Sequence, residues 1–188
     1  MSGMGFHENV ERIFAEVRSV LEGVDPAQVS AVVERLLKAE RIYVAGGGRS
    51  GLMARAFAMR LMHLGLTTYV VGETTTPAIS KPDVLLVFSA SGETQVTVLM
   101  SRVSKKVGAH VIAVTANPDS PIARAADTVL LLRAPYKSAP RQGLPSMQYA
   151  GSLFEQSALI LFDAIALEVG RLLGRSDREL RERHANLE

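Results

Sequence analysis

Five short apolar runs, at residues 42–44, 67–71, 84–88, 111–115 and 128–132, alternate with helical stretches at 50–64, 94–107 and, briefly, 121–126. This alternation restricts the fold more than any other feature. The runs are apolar almost throughout and rich in valine and isoleucine, which predicts strands buried on both faces. Strand and helix in turn require crossover connections. The architecture they dictate is α/β: a five-stranded parallel sheet, doubly wound, forming a three-layer α/β/α sandwich. Gly65 and Gly108 stand where two helix C-caps are expected.

Two helices precede this core. Val10, Ile13, Phe14, Val17 and Leu21 share one helical face, and Gly23 offers a stop. Asp25-Pro26 then supplies an N-cap and a proline at the first helical position, followed by the stripe Val29, Val32, Val33, Leu36 and Leu37. Beyond the last strand, 133–150 reads as a long loop carrying Lys137 and Arg141, residues that cover a site or stay exposed, with exposure favoured. A helical region from 152 to about 173 follows, and Ser176 with Glu179 forms a capping box for a short last helix. The expected organisation is one domain: helices over 1–40, the core over 41–132, the loop over 133–150, and C-terminal helices over 151–188.

Composition narrows the function classes. A length of 188 residues suits one core rather than a cofactor domain plus a substrate domain. The net charge is only +2 and aromatics are 5%, which leaves little to grip nucleic acid. The absence of cysteine removes disulfides, thiolate metal sites and cysteine nucleophiles. The first residues carry acids early and no long apolar core, and no run reaches the length of a membrane span, so a cytoplasmic protein is expected.

In a doubly wound sheet ligands bind beyond the carboxyl ends of the strands, and three such ends are chemically loaded. The first reads Gly46-Gly47-Gly48-Arg49-Ser50-Gly51. Its glycines let backbone N–H groups approach an anion, and the following helix directs its positive end there. A tight strand-to-helix turn is the plainer alternative. The second, "FSASGET", places Ser89, Ala90, Ser91, Gly92, Glu93 and Thr94 before another helix. One hydroxyl there would be an ordinary N-cap; three around a glycine suggest a phosphate cup. The third, "GETTTPAI", carries Glu73 about twenty residues past the glycines, where a dinucleotide fold holds its ribose acid. Gly46, Gly48 and Gly51 satisfy the G-x-G-x-x-G spacing, so a nucleotide reading stays open at this point.

The glycine loop followed by "SASGET" resembles the sugar isomerase (SIS) domain family, whose serine-rich loop binds sugar phosphates. "AMRLMHLG" (58–65), "YVVGETTTPAI" (69–79), "GSLFEQ" (151–156) and "RHANLE" (183–188) resemble its 6-phospho-3-hexuloisomerase subfamily, and the match spans nearly the whole chain. The resemblance implies an SIS-type, flavodoxin-like sheet. It implies an isomerase that interconverts D-arabino-hex-3-ulose 6-phosphate and fructose 6-phosphate through an enediol, in the ribulose monophosphate route of formaldehyde assimilation. No cofactor and no metal are required by that chemistry. The expected substrate-binding set is Gly48, Arg49 and Ser50 from the first loop with Ser89, Ala90, Ser91, Gly92, Glu93 and Thr94 from the second.

Glu155 is the expected catalytic base. By position it could simply satisfy the N-terminal dipole of its helix, and position alone favours that role. The resemblance reverses the order, because the glutamate of this motif is the family's proposed proton acceptor. Leu153, Phe154 and Ala158 beside it would raise its pKa by desolvation. Asp163, two turns on, serves as the contrast, an acid at the edge of the core. His63 ends a helix, where a cation is favoured by the dipole alone, and His184 lies in the terminal motif; both are secondary catalytic candidates. His7 and His110 attract no functional reading.

Alternatives within the fold are another aldose–ketose isomerase of sugar phosphates and a non-catalytic sugar-phosphate sensor, which would need an output module. The expected partners are a small hexulose phosphate and other copies of this chain, with no nucleic acid and no membrane. A homotetramer is expected, on two grounds: the first two helices exceed what five strands obviously need for cover, and the resembling isomerases are tetrameric.

Overall fold

The computed structural model describes residues 5–137 and 146–187. Two helices, α1 (Phe6–Glu22) and α2 (Pro26–Lys38), lead into β1 (Ile42–Gly46), α3 (Gly48–His63), β2 (Thr68–Val70) and β3 (Val84–Phe88). Then come α4 (Gln95–Lys106), β4 (His110–Thr115), α5 (Pro121–Ala125), β5 (Thr128–Leu131), α6 (Ser152–Leu172) and α7 (Asp177–Glu182). All five anticipated strands form, each within a few residues of its apolar run.

The strands pair in the order β2-β1-β3-β4-β5 and every pair is parallel. The chain leaves β1 toward β2, then returns past it to β3, so the direction of winding reverses beside β1. That switch opens a crevice at the carboxyl ends of β1 and β3. Register brings those ends level, with Gly46 opposite Phe88.

Alternate strand residues face opposite layers. Ile42, Val44, Leu86, Phe88, Ile112 and Val114 join the core under α1, α2, α3 and α6, where Phe57 stacks on Phe162 at 4.5 Å and Phe88 on Phe154 at 4.7 Å. Tyr43, Ala45, Leu85, Val87, Val111 and Ala113 face the other layer, with α4 and α5. Helix α6 is central to the thicker layer, as its apolar density predicts, and touches α1, α2 and α3.

The first two helices depart from expectation. Much of their apolar surface is covered within the chain: α1 packs on α6, and α2 on β5 and α6. Val17, Val20, Val32, Val33 and Leu36 are buried within the chain, and the Gln28 side chain accepts a hydrogen bond from the Leu131 amide at 2.9 Å. Phe14 is 61% exposed, and Val20 takes its expected place in the core. The physical reason is the uneven layering. Among the described residues one side of the sheet holds four helices, and α5, only five residues long, leaves the other side thinly covered. Phe6 and Phe14 stay exposed on α1, and further exposed apolar surface lies on Leu52, Met59, Ile160 and Leu167 of α3 and α6 and on Val96, Leu99, Val103 and Val107, on or just past α4.

Among the described residues no helix is long and apolar enough to cross a membrane.

Candidate active site

The crevice gathers three helix starts. The glycine loop leaves β1 and enters α3 at Gly48, whose φ of +54° is a left-handed conformation that glycine adopts without strain. Gly46 and Gly51 are in backbone contact: a Cβ on Gly51 would lie 2.6 Å from the Gly46 carbonyl oxygen. Two of the three glycines in the fingerprint spacing therefore serve the close approach of helix to strand. Gly47 faces the second loop, its Cβ position 3.7 Å from the Thr94 side chain.

The second loop is a tight cup. Ser89 Oγ accepts from the Gly92 amide at 3.1 Å and lies 3.2 Å from Thr94 Oγ1, while Ser91 Oγ accepts from the Glu93 amide at 3.2 Å. Gly92 has φ of +67° and is backed by α5, so that a Cβ there would lie 2.1 Å from Ser120 Oγ. Any side chain at 92 would displace the loop.

Capping separates these helix starts from those of α2, α5 and α7. Asp25 caps α2, Ser120 caps α5, and Ser176 caps α7 within the anticipated capping box, each through its side chain. At α3, α4 and α6 the N-cap residues Gly47, Thr94 and Gly151 make no side-chain cap hydrogen bond. Helix starts carry N–H groups that their own helix cannot satisfy, together with the positive end of the dipole. Three such starts meeting at one crevice, beside the Arg49 guanidinium, are suited to hold an anion.

Arg49 does more than face an anion. Its Nη1 donates to Ser152 Oγ at 2.7 Å and its Nε lies 3.4 Å from Glu155 Oε2. Ser50 Oγ donates to Glu155 Oε1 at 3.4 Å. The structure thus joins Arg49, Ser50 and Glu155 across more than a hundred residues. Ser152 belongs with them and escaped sequence reasoning, because a serine opening a helix reads as a cap. Burial pushes the Glu155 carboxyl above the ordinary glutamate range, and Arg49 and Ser50 offset only part of that rise. A partly desolvated carboxylate beside a cup for an anion can accept a proton near neutral pH.

The two histidines lie elsewhere. Antiparallel to the strands, α3 carries His63 away from Ser50 by about 20 Å at 1.5 Å per residue. There His63 stacks on His184, centroids 5.0 Å apart, beside a groove of about 550 Å³ that Arg60, Asp163, Arg175 and Arg181 also line. Burial, His184 and Arg60 together lower the His63 pKa. Neither histidine reaches Glu155 within one chain. Asp163 pairs with Arg60 at 3.4 Å, half exposed. His110 opens β4, its Nε2 2.9 Å from Thr128 Oγ1.

Glu73, the ribose-acid position, forms an ion pair with Arg55. Lys137 is exposed, and Arg141 lies outside the described residues.

Comparison with known proteins identifies the family. The SIS domain profile matches residues 35–157. The chain is 45% identical over 180 residues to a 3-hexulose-6-phosphate isomerase of Mycobacterium gastri, covering 96% of this chain and 90% of that protein. It is 34% identical to a 3-hexulose-6-phosphate isomerase of Bacillus subtilis, over 96% and 98% of the two chains. The fold superposes with a TM-score of 0.82 and 32% identity on a Methanococcus jannaschii protein whose crystal structure infers the same molecular function, covering 96% and 99%. The chain belongs to the SIS domain family and, within it, to the group that contains the 3-hexulose-6-phosphate isomerases.

Proposed function

We propose that the protein is an isomerase that interconverts D-arabino-hex-3-ulose 6-phosphate and fructose 6-phosphate, the step that follows formaldehyde fixation in the ribulose monophosphate route. The observation that carries this reading is the placement of one desolvated carboxylate, Glu155, beside three uncapped helix starts. The phosphate sits over Ser89, Ser91, Gly92 and Thr94, with Ala90 and Glu93 contributing backbone, and Gly48, Arg49 and Ser50 close it from the other loop. Glu155 takes the proton from C2 of the 3-ulose. The electron pair moves into a 2,3-enediolate, a proton returns to C3, and the proton of the C2 hydroxyl passes to the oxygen on C3. Carbonyl and hydroxyl exchange places with no net oxidation. Arg49 steadies the carboxylate through its ion pair and, held by Ser152, keeps its charge near the developing enediolate.

The active species is a homotetramer in the cytoplasm, assembled through the exposed apolar faces of α3, α6 and α4. In that arrangement His63 and His184 serve the crevice of a neighbouring copy, since they stand a helix length from their own. Mixing Glu155→Gln chains with His184→Ala chains tests the sharing. Each variant alone is nearly inactive, and mixed tetramers regain activity when a site draws on two copies. Activity in a coupled assay that follows fructose 6-phosphate tests the reaction itself, and no turnover of hexulose 6-phosphate by the purified protein overturns it.

A further inference from the structure

Residues 146–151 lead into α6 and so into Glu155, and one distant side chain secures them. Glu16, on α1, accepts three hydrogen bonds there: from Ser146 Oγ at 2.7 Å, from the Met147 amide at 3.0 Å, and from Gln148 Nε2 at 3.0 Å. Ser146 Oγ accepts in turn from the Gln148 amide at 3.0 Å. Burial pushes the Glu16 carboxyl up, but these donors and the charge of Arg12 outweigh it and hold it below the ordinary glutamate value. It is a charged acceptor throughout the neutral range.

Immediately beyond this clamp the backbone is strained. Ala150 has φ of +53°, and among the described residues it is the one non-glycine in the left-handed region. An alanine stays there only when its surroundings hold it. On the far side of that residue, the Ser152 amide donates to the Tyr149 carbonyl at 3.1 Å and the Glu155 amide to the Gly151 carbonyl at 3.0 Å. The turn therefore sets the first turn of α6, and with it both Ser152, which holds Arg49, and Glu155.

We infer that Glu16 is a positioning residue for the reaction: through Ser146, Met147 and Gln148 it holds the left-handed turn at Ala150 and so places Glu155 and the Arg49–Ser152 pair. This role rests on Glu155 being the proposed base. Nothing in the sequence announces it, since Glu16 reads as one solvated acid on an amphipathic helix. Loss of the clamp lets the turn relax. The carboxylate then wanders from the reacting carbon while the phosphate cup, built on β3 and α4, is left intact.

The test is a set of variants assayed for kcat, KM and unfolding midpoint. Glu16→Gln sets an amide donor against Ser146 and Gln148, and is expected to lower kcat about tenfold with little change in KM, because small misplacements of a reacting group are costly. Gln148→Ala, which leaves α1 untouched, should show the same loss in smaller measure. The exchange Glu16→Gln with Gln148→Glu reverses donor and acceptor and should restore most of kcat. Added to Glu155→Gln, the Glu16→Gln change should cost much less than it does alone, since most of its effect runs through the missing carboxylate. Unchanged kcat in both single variants overturns the inference, as does an equal further loss in the Glu155→Gln background. Near-normal kcat in Glu155→Gln alone is a different result: it removes the base, and the positioning role with it.

Discussion

The two ends of the parallel sheet treat buried charge in opposite ways. At the amino ends of the strands, Asp83 is 1% exposed and fully engaged. Arg41 meets it in a two-point contact, Nε to Oδ1 at 2.9 Å and Nη2 to Oδ2 at 2.7 Å, and the Ser80 amide and hydroxyl both donate to Oδ2. Burial alone would raise this carboxyl, yet its partners outweigh burial and its pKa falls below the usual range. At the carboxyl ends, Glu155 is likewise desolvated, but its ion pair and its hydrogen bond are both 3.4 Å long and its pKa rises. The same residue class, withdrawn from water, is held ionised as an anchor or left with a raised pKa, as the proposed base requires, according to how closely donors surround it.

The contrast can be broken experimentally, and the largest effect belongs to the carboxyl end. Glu155→Gln should lower kcat by about 10²–10⁴-fold while the thermal midpoint stays nearly unchanged, because general-base catalysis is worth that range. Coupled assays with parallel calorimetry decide it. A large loss of folding stability in this variant would place Glu155 with Asp83 as an anchor.

Asp83→Asn should do the converse. Removing one partner of a buried pair costs about 3–5 kcal/mol, and Arg41, which reaches solvent, argues for the low end. At about 3 kcal/mol the midpoint of a chain this size falls by roughly 10 °C, with kcat at permissive temperature unaltered. Loss of kcat in the still-folded protein would dissolve the division between the ends.

Next in size is the proposed phosphate cup. Ser89→Ala should raise KM about ten-fold with kcat little changed, since the phosphate is held alike in ground and transition states. Ser91→Ala, whose hydroxyl caps only the Glu93 amide, should do less. A fall in kcat with constant KM would move Ser89 from binding to chemistry.

The smallest effects are those of pH on stability, and their signs differ. The Asp83 pKa is lowered by folding, so its contribution is present above the ordinary carboxylate value, about 3.9, and disappears as pH falls through the folded value. The Glu155 pKa is raised, so its neutral form adds stability below the ordinary glutamate value, about 4.3, and that contribution disappears as pH rises through the folded value. Urea melts from about pH 3 to 7 should therefore give Asp83→Asn a flatter acid limb than the unmodified protein, and Glu155→Gln a steeper one. The acid limb of kcat/KM should fall at a pH above the ordinary glutamate value, where Glu155 takes up its proton.

Some of this molecule could be read from the chain in order. Strands at apolar runs, the Asp25-Pro26 start, the Ser176–Glu179 capping box and the glycine stops at 65 and 108 depend on residues a few positions apart, so local chemistry sufficed. The two glycine- and serine-bearing loops were also legible, because their residue types advertise anion binding wherever they fall. The tertiary structure decided the rest. It seated α1 and α2 against α6 and β5, where an amphipathic stripe alone says only that some surface is needed. It drew Arg49 toward Ser152 and Glu155, and Glu16 toward residues 146–148, pairings that span more than a hundred positions and leave no periodic trace. It also parted His63 from the crevice by the length of its own helix, a distance that sequence spacing alone does not orient. Burial, and with it the charge state of Glu155, is a property of everything packed around a group, and that sum exists only in the folded chain.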